Sequence, residues 1–332
     1  VKLRGIEFGN VFNASGARGF FGEAYWFHKW WKFFGLDFTG STFVAKTTTL
    51  LPRKGNMLLG PDNQPLDAVP DCIVVKPWKG VALNAVGLSG PGALTLTHRW
   101  ADTGFAKVLD GVLWTAPEKF MLSFMSIAPT VTERLRETLA FSLMVANVVA
   151  AHGRDRVALQ VNFSCPNVGR DLGKYADLAD EIRQTLSIME PLGIALLIKV
   201  NALFPPDVVR DVVEGHQACD GVIVSNTIPW GSLPDKIDWK GLFGSDVSPL
   251  AKYGGGGLSG KPLLPLVHDW IIQARMAGVK KNIVGGGGIL SGDDAYRLLD
   301  AGADAVELGS VAFLRPWRVH KIIEAVNYRL GK

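Results

Sequence analysis

Short apolar runs recur along the chain, each four to eight residues long and each ending in small or polar residues. They fall at Val11–Ala14, Thr42–Lys46, Met121–Ser126, Ala158–Cys165, Ala195–Val200, Gly221–Asn226, Asn282–Gly285 and Ala305–Leu308. Their apolar character is nearly continuous rather than alternating, the pattern of parallel strands buried on both faces. Between them the period lengthens to that of helices. Thr130-Val131-Thr132-Glu133 is a capping box, which satisfies the first free N–H groups and predicts a helix over Glu133–Ala151. Further helices are predicted over Lys174–Glu190, Asp207–Gln217, Leu263–Ala277, Asp293–Ala301 and Trp317–Leu330. Pro206 falls at a helix start, and Gly278 and Gly302 fall just past helix ends.

Eight strands alternating with helices predict an α/β fold, a (β/α)8 TIM barrel, with an open doubly wound sheet as the competing arrangement. No low-complexity linker divides the chain, so one domain over residues 1–332 is expected. Lys54–Trp78, rich in Pro, Gly and Asp, reads as a long excursion at the C-terminal face of the strands, where barrels place active-site cover. Within Tyr25–Phe34, Trp26, Trp30 and Phe34 share a helical face with Phe27 and Trp31. Because this segment follows the first strand, it is expected to be an outer helix packing that face on the sheet. The other reading is a membrane-surface or partner-binding helix.

Composition removes several classes. With 332 residues, 48% of them hydrophobic and 20% charged, the chain is too apolar to be disordered. Its 38 glycines have no three-residue period, which excludes collagen. A net charge of +4 without a Lys/Arg block gives no sign of a nucleic-acid partner. The longest apolar stretch, Leu139–Ala151, contains Ser142 and Asn147 and is too short to span a bilayer. With no secretory signal visible, a cytoplasmic protein is expected. Cys72, Cys165 and Cys219 lie too far apart for a disulfide framework or an iron–sulfur motif, and the histidines show no metal spacing.

In a barrel the active site forms at the C-terminal strand ends. There the chain reads Asn13-Ala14-Ser15-Gly16, Lys46-Thr47, Asn162-Phe163-Ser164-Cys165-Pro166-Asn167, Lys199-Val200-Asn201, Ser225-Asn226-Thr227, Gly285–Gly288 and Gly309-Ser310. A lysine ending an apolar strand is costly without an anionic partner, so Lys46 and Lys199 suggest an electron-rich or anionic ligand. Asparagines offer both a donor and an acceptor, which suits a heterocycle edged with N–H and C=O groups. Glycine turns after strands seven and eight let backbone N–H groups approach a phosphate. The plainer alternative is that they turn a crowded barrel end. There is no Walker A loop, and no GxGxxG follows an early strand.

These motifs, together with Gly55-Asn56, Leu83-Asn84-Ala85-Val86-Gly87-Leu88, Gly256-Gly257-Leu258-Ser259-Gly260 and Gly287-Gly288-Ile289, occur in one order that resembles the dihydroorotate dehydrogenases. The resemblance runs from about Leu3 to Phe313, and Asn-x-Ser-Cys-Pro-Asn is its most specific element. It implies an FMN enzyme that oxidises dihydroorotate to orotate in pyrimidine biosynthesis. Cys165 matches the base that removes the C5 proton, while a hydride leaves C6 for flavin N5. A cysteine there, where mostly membrane-associated, quinone-linked members carry serine, resembles the class 1 branch. A thiol titrates nearer neutrality than a hydroxyl, so it can act without a histidine neighbour. Lys46 and Lys199 match lysines beside the flavin, and Lys46 also reaches the substrate. Asn84, Asn162, Asn167, Asn226 and Thr227 match the substrate-holding side chains, and Val86, Gly87 and Leu88 the segment around the substrate carboxylate. Ala14, Ser15, Thr47, Asn162, Gly257, Gly287, Gly288, Gly309 and Ser310 match FMN contacts. A homodimer is implied.

Two departures matter. Asn56 leads into Met57-Leu58-Leu59-Gly60 instead of the usual Pro-Arg spacing, and the excursion to Trp78 is long. Val168-Gly169-Arg170-Asp171-Leu172-Gly173 fits neither the fumarate-using nor the NAD-linked subtype, which leaves the acceptor open. With no cysteine cluster, an NAD-linked version needs a separate iron–sulfur and flavin subunit. The competing readings are an FMN barrel acting on another dihydropyrimidine and a catalytically silent phosphate-binding barrel.

Overall fold

The computed structural model describes residues 1–103, 107–109, 112–114, 117–163 and 175–331; Cys165 and Asn167 lie outside them. Among the described residues, eight parallel strands form the central sheet: β1 (Val11–Asn13), β2 (Phe43–Val44), β3 (Phe120–Phe124), β4 (Val157–Asn162), β5 (Ala195–Val200), β6 (Cys219–Val224), β7 (Asn282–Gly286) and β8 (Ala305–Leu308). Each pairs with its neighbour in sequence, and β8 pairs with β1. A parallel bridge between Phe12 and Thr42 brings β1 against β2 and closes the ring. An outer helix follows each strand: α1 (Trp26–Lys32), α2 (Ala93–Thr103), α3 (Val131–His152), α4 (Tyr175–Met189), α5 (Pro206–Gly215), α6 (Leu263–Ala277), α7 (Gly292–Asp300) and α8 (Val319–Arg329), with short extra helices at Trp239–Phe243 before α6 and Val311–Leu314 before α8. The fold is the (β/α)8 barrel.

Strand alternation divides the core in two. On β5, Leu196, Ile198 and Val200 belong to the cluster shared with the helices, while Ala195 and Leu197 belong to an inner cluster. That inner cluster takes Phe12, Val44, Met121, Ala158, Ile223, Val284 and Ala305 from the other seven strands. Leu3 and Phe8 join it from the N-terminal hairpin, Lys2–Leu3 paired with Ile6–Glu7, which plugs the bottom of the barrel. Two residues further along, the inward positions turn small or polar: Ala14, Lys46, Ser123, Gln160, Lys199, Ser225, Gly286 and Glu307. The apolar layer drives closure, and the polar layer above it faces the C-terminal mouth.

Over that mouth lies a four-stranded antiparallel sheet made of Ile73–Lys76, Val81–Asn84, Gly257–Gly260 and Ile228–Pro229. It joins the excursion after β2 to the segment after β6 around a second core of Cys72, Leu83, Ile228, Trp239 and Leu258. The excursion beginning at Lys54 is therefore at the expected face, but it is a folded hairpin. Neither this sheet nor α2 appears in the strand and helix pattern above.

The aromatic segment departs from expectation. The helix ends at Lys32, and Phe33 and Phe34 continue past it toward Gly35, whose φ is +96°. His28 takes the buried position at 1% exposure, and Trp31 packs on the core and on Trp317 with ring centroids 5.2 Å apart. Trp30, Phe33 and Phe34 are 66%, 86% and 68% exposed. The five aromatics therefore do not form one packing face: the helix stops before Phe34, and its inward positions, three residues apart, are His28 and Trp31. No helix among the described residues is long and apolar enough to cross a membrane.

Candidate active site

One cavity of about 260 Å³ opens between the strand ends and the antiparallel sheet. Every barrel strand except β3 sends residues to its lining. Ala14 and Ser15 follow β1, Lys46 and Thr47 follow β2, and Asn162 ends β4. Lys199 comes from β5, Asn226 and Thr227 follow β6, Gly287 and Gly288 follow β7, and Gly309 and Ser310 follow β8. The overlying sheet and its loop add Asn84, Val86, Gly87 and Leu88. Sixteen of the described positions expected from sequence thus converge. Gly257 is the exception: its carbonyl accepts from Asn84 Nδ2 at 3.5 Å, one step behind the lining, while Ser259 and Gly260 reach the cavity.

The polar layer forms a connected base. Gln160 Nε2 donates to Ser123 Oγ at 2.8 Å, Ser123 Oγ bonds Thr47 Oγ1 at 2.8 Å, and Thr47 Oγ1 bonds Ser15 Oγ at 2.7 Å. Lys46 Nζ donates to the Ser89 carbonyl at 2.6 Å and lies 5.0 Å from the centroid of the Phe20 ring. Asn226 Nδ2 donates to Asn162 Oδ1 at 3.1 Å, and Asn226 Oδ1 accepts from Thr227 N at 2.8 Å. These bonds fix both amide planes toward the cavity. Carbonyls of the Val86–Leu88 loop are held from outside: Asn56 N donates to Val86 O at 2.9 Å and Arg53 Nε to Gly87 O at 2.7 Å. Among the described residues none accepts from the amides of Val86, Gly87 and Leu88, which suits an anionic group.

Gly288 marks a close approach of the turn after β7 to the start of α6. Its φ is +78°, and an added Cβ would lie 2.6 Å from Leu264 N at the start of α6. Only glycine fits, so the turn after β7 packs directly on the start of α6 while Gly287 and Gly288 line the cavity.

Several lining residues were not anticipated. Tyr25 and Phe313 form one wall, with ring centroids 5.3 Å apart, and Tyr25 Oη donates to Gly16 O at 2.8 Å. Ile73 and Val75 come from the folded excursion. Glu307 is the most consequential: it ion-pairs with Lys199 at 2.7 Å. The signal was available, since an acid in the apolar run Ala305–Leu308 needs a buried cation. Cys72 and Cys219 are buried free thiols, and burial pushes Cys219 up to about 12, out of reach of base chemistry.

A closed barrel with amides, cations and glycine turns gathered at its catalytic face is a TIM-barrel enzyme built for a heterocyclic, anionic ligand. A sequence model described as dihydroorotate dehydrogenase matches residues 1–330, and the chain belongs to that family. It is an FMN-family oxidoreductase of the CH–CH class, whose members oxidise dihydroorotate. The catalytic subunit of dihydroorotate dehydrogenase B (NAD(+)) from Halalkalibacterium halodurans is 28% identical over 341 residues, covering 100% of this chain and 93% of the relative. Dihydroorotate dehydrogenase A (fumarate) from Lacticaseibacillus paracasei is 28% identical over 330 residues, covering 97% and 94%. In fold, the chain is similar to an Eimeria tenella DHODH crystallised with ferulenol, with a TM-score of 0.66 at 19% identity over 100% of this chain and 85% of that one.

Proposed function

We propose that this chain oxidises dihydroorotate to orotate in the described cavity, with FMN as its cofactor and Cys165 as its base. The observation that carries the reading is the convergence of Lys46, Asn84, Asn162, Lys199 and Asn226 with the Gly287–Gly288 turn in one cavity. The residues fit FMN: the glycine turns after β7 and β8, which line the cavity, suit its phosphate, and the polar strand ends suit the edge of its ring system. When bound, FMN supplies the acceptor for the hydride leaving substrate C6. The protein does the rest. Asn84, Asn162, Asn167, Asn226 and Thr227 hold the substrate's amide edges. The backbone amides of Val86, Gly87 and Leu88, with Lys46, take its carboxylate. Cys165, three residues past Asn162, receives the C5 proton as the C5=C6 bond forms. The antiparallel sheet and the Tyr25–Phe313 wall exclude water.

The chain acts as one domain, since Leu59 and Ala202 pack against both the barrel core and the overlying core. We read it as cytoplasmic and homodimeric. Fumarate- and NAD-named relatives are equally similar, so identity does not choose the acceptor. If NAD is used, the naming of the B-type relative as a catalytic subunit supports a separate iron–sulfur and flavin subunit.

The test is anaerobic mixing of the FMN-loaded protein with dihydroorotate, dihydrouracil and NADH separately, followed by fumarate, NAD or a quinone. Bleaching by dihydroorotate alone is expected. Cys165→Ala keeps FMN but slows that bleaching by about 10²- to 10⁴-fold at neutral pH. Bleaching at the wild-type rate refutes the base assignment, and a wild-type protein that takes up no FMN refutes the whole reading.

A further inference from the structure

Lys199 reaches the cavity as half of an ion pair. Its Nζ donates to both Glu307 oxygens, at 2.9 and 2.7 Å, with the two side chains 6% and 2% exposed. The partners come from β5 and β8, on different sides of the barrel interior, so Lys199 spans the space in front of β6 and β7. Gly286 of β7 leaves that space open: an added Cβ there would lie 3.1 Å from Glu307 Cβ and 3.2 Å from Oε2. Both partners line the cavity. A buried pair of this kind is weak evidence for stability, because desolvating two charges offsets most of their attraction. The apolar layer directly below closes the barrel without it. An acid placed here therefore needs a reason in the cavity.

We propose that Glu307 is a positioning residue that sets the redox poise of the flavin by cancelling the charge of Lys199. The proposal rests on the FMN reading given above. An unpaired ammonium in the cavity lining would stabilise negative charge on the reduced ring and favour hydride uptake. With a carboxylate in contact, the ring faces a dipole whose field falls off faster than that of a charge. Glu307 thus lowers the flavin's midpoint potential and weakens binding of anions that place negative charge on the ring. It also locks Lys199 Nζ at a single point of the cavity lining.

The experiment uses FMN-loaded protein and sulfite, an anion that bleaches flavins by adding to the ring. Glu307→Gln keeps the shape and removes the charge. We expect its sulfite Kd to fall about tenfold or more, with a rise in midpoint potential. Glu307→Asp keeps the charge and stays within about threefold of wild type. In Lys199→Gln/Glu307→Gln, where neither charge remains, the sulfite Kd returns to within about threefold of wild type. A merely structural role does not give this pattern, since the double variant would depart furthest. The proposal is overturned if Glu307→Gln binds sulfite like wild type, if Asp and Gln variants shift alike, or if the double variant fails to return. Should Glu307→Gln fail to fold, Lys199→Gln, which leaves the Glu307 charge uncancelled, is compared with the double variant: its sulfite Kd should be about tenfold or more above that of the double variant, and equal values overturn the proposal. A wild-type protein that takes up no FMN overturns the cofactor reading and this proposal together. FMN uptake with unchanged sulfite affinity in Glu307→Gln overturns only the proposal.

Discussion

His28 shows how a single side chain can be held by two backbone groups. It is 1% exposed, its Nδ1 accepts from Tyr25 N at 3.4 Å, and its Nε2 lies 2.9 Å from Ala312 O. That arrangement fits one neutral tautomer, with Nε2 carrying the proton. Burial holds its pKa down at about 4, from an ordinary 6.5. Between those values the unfolded chain binds a proton that the folded chain refuses, so stability falls as the pH drops through this window and is flat above it. The effect amounts to about 3 kcal/mol by its lower edge. Thermal melts at a series of pH values should show His28→Gln, which can keep both hydrogen bonds, losing less stability than wild type between pH 7 and pH 4. Parallel curves would refute this assignment. At this scale the sequence was informative wherever a polar residue closes an apolar strand, as Lys199 and Asn162 do. It was silent on Tyr25 and Phe313, which meet only through tertiary packing.

At the scale of elements, the strands β5 and β8 and the helix α6 run as their patterns predict, because continuous apolar runs and a glycine stop leave little choice. Gly278 caps α6 in the left-handed conformation at φ +102°. Thr130 and Glu133 form the capping box at the start of α3, with Glu133 N donating to Thr130 Oγ1 at 3.2 Å. The helix α1 was harder to read, since aromatic spacing alone cannot say which ring packs. Its energetics should follow the observed burial. Trp30→Ser and Phe33→Ser are expected to change unfolding free energy by no more than about 0.5 kcal/mol. Trp31→Ala, which loses its contacts with Trp317 and the core, should cost about 2 kcal/mol or more. Chemical denaturation of the three variants checks the order, and a large loss from Trp30→Ser would mean that its exposed face is covered in solution.

At the scale of the whole molecule, the barrel separates stability from chemistry along its axis. Leu3 and Phe8 seal the apolar bottom layer, far from the cavity-lining strand ends. Leu3→Ala should therefore cost about 2–5 kcal/mol while leaving FMN affinity unchanged. An FMN titration and a denaturation curve on the same preparation test both halves, and a loss of FMN affinity would contradict the separation. The barrel was legible because its strands are local runs whose burial on both faces shows in composition. The overlying sheet was not, because Val81–Asn84 pairs with Gly257–Gly260 across more than half the chain, and no local period records that pairing. By itself the sequence determined the strand–helix alternation, the polar residues at the strand ends and the family. Only the tertiary structure decided which ends meet, how the excursion folds over them, and that Lys199 is met by Glu307. Pattern reports the face a residue turns toward, whereas contact between distant strands depends on barrel closure and on the gap left by Gly286.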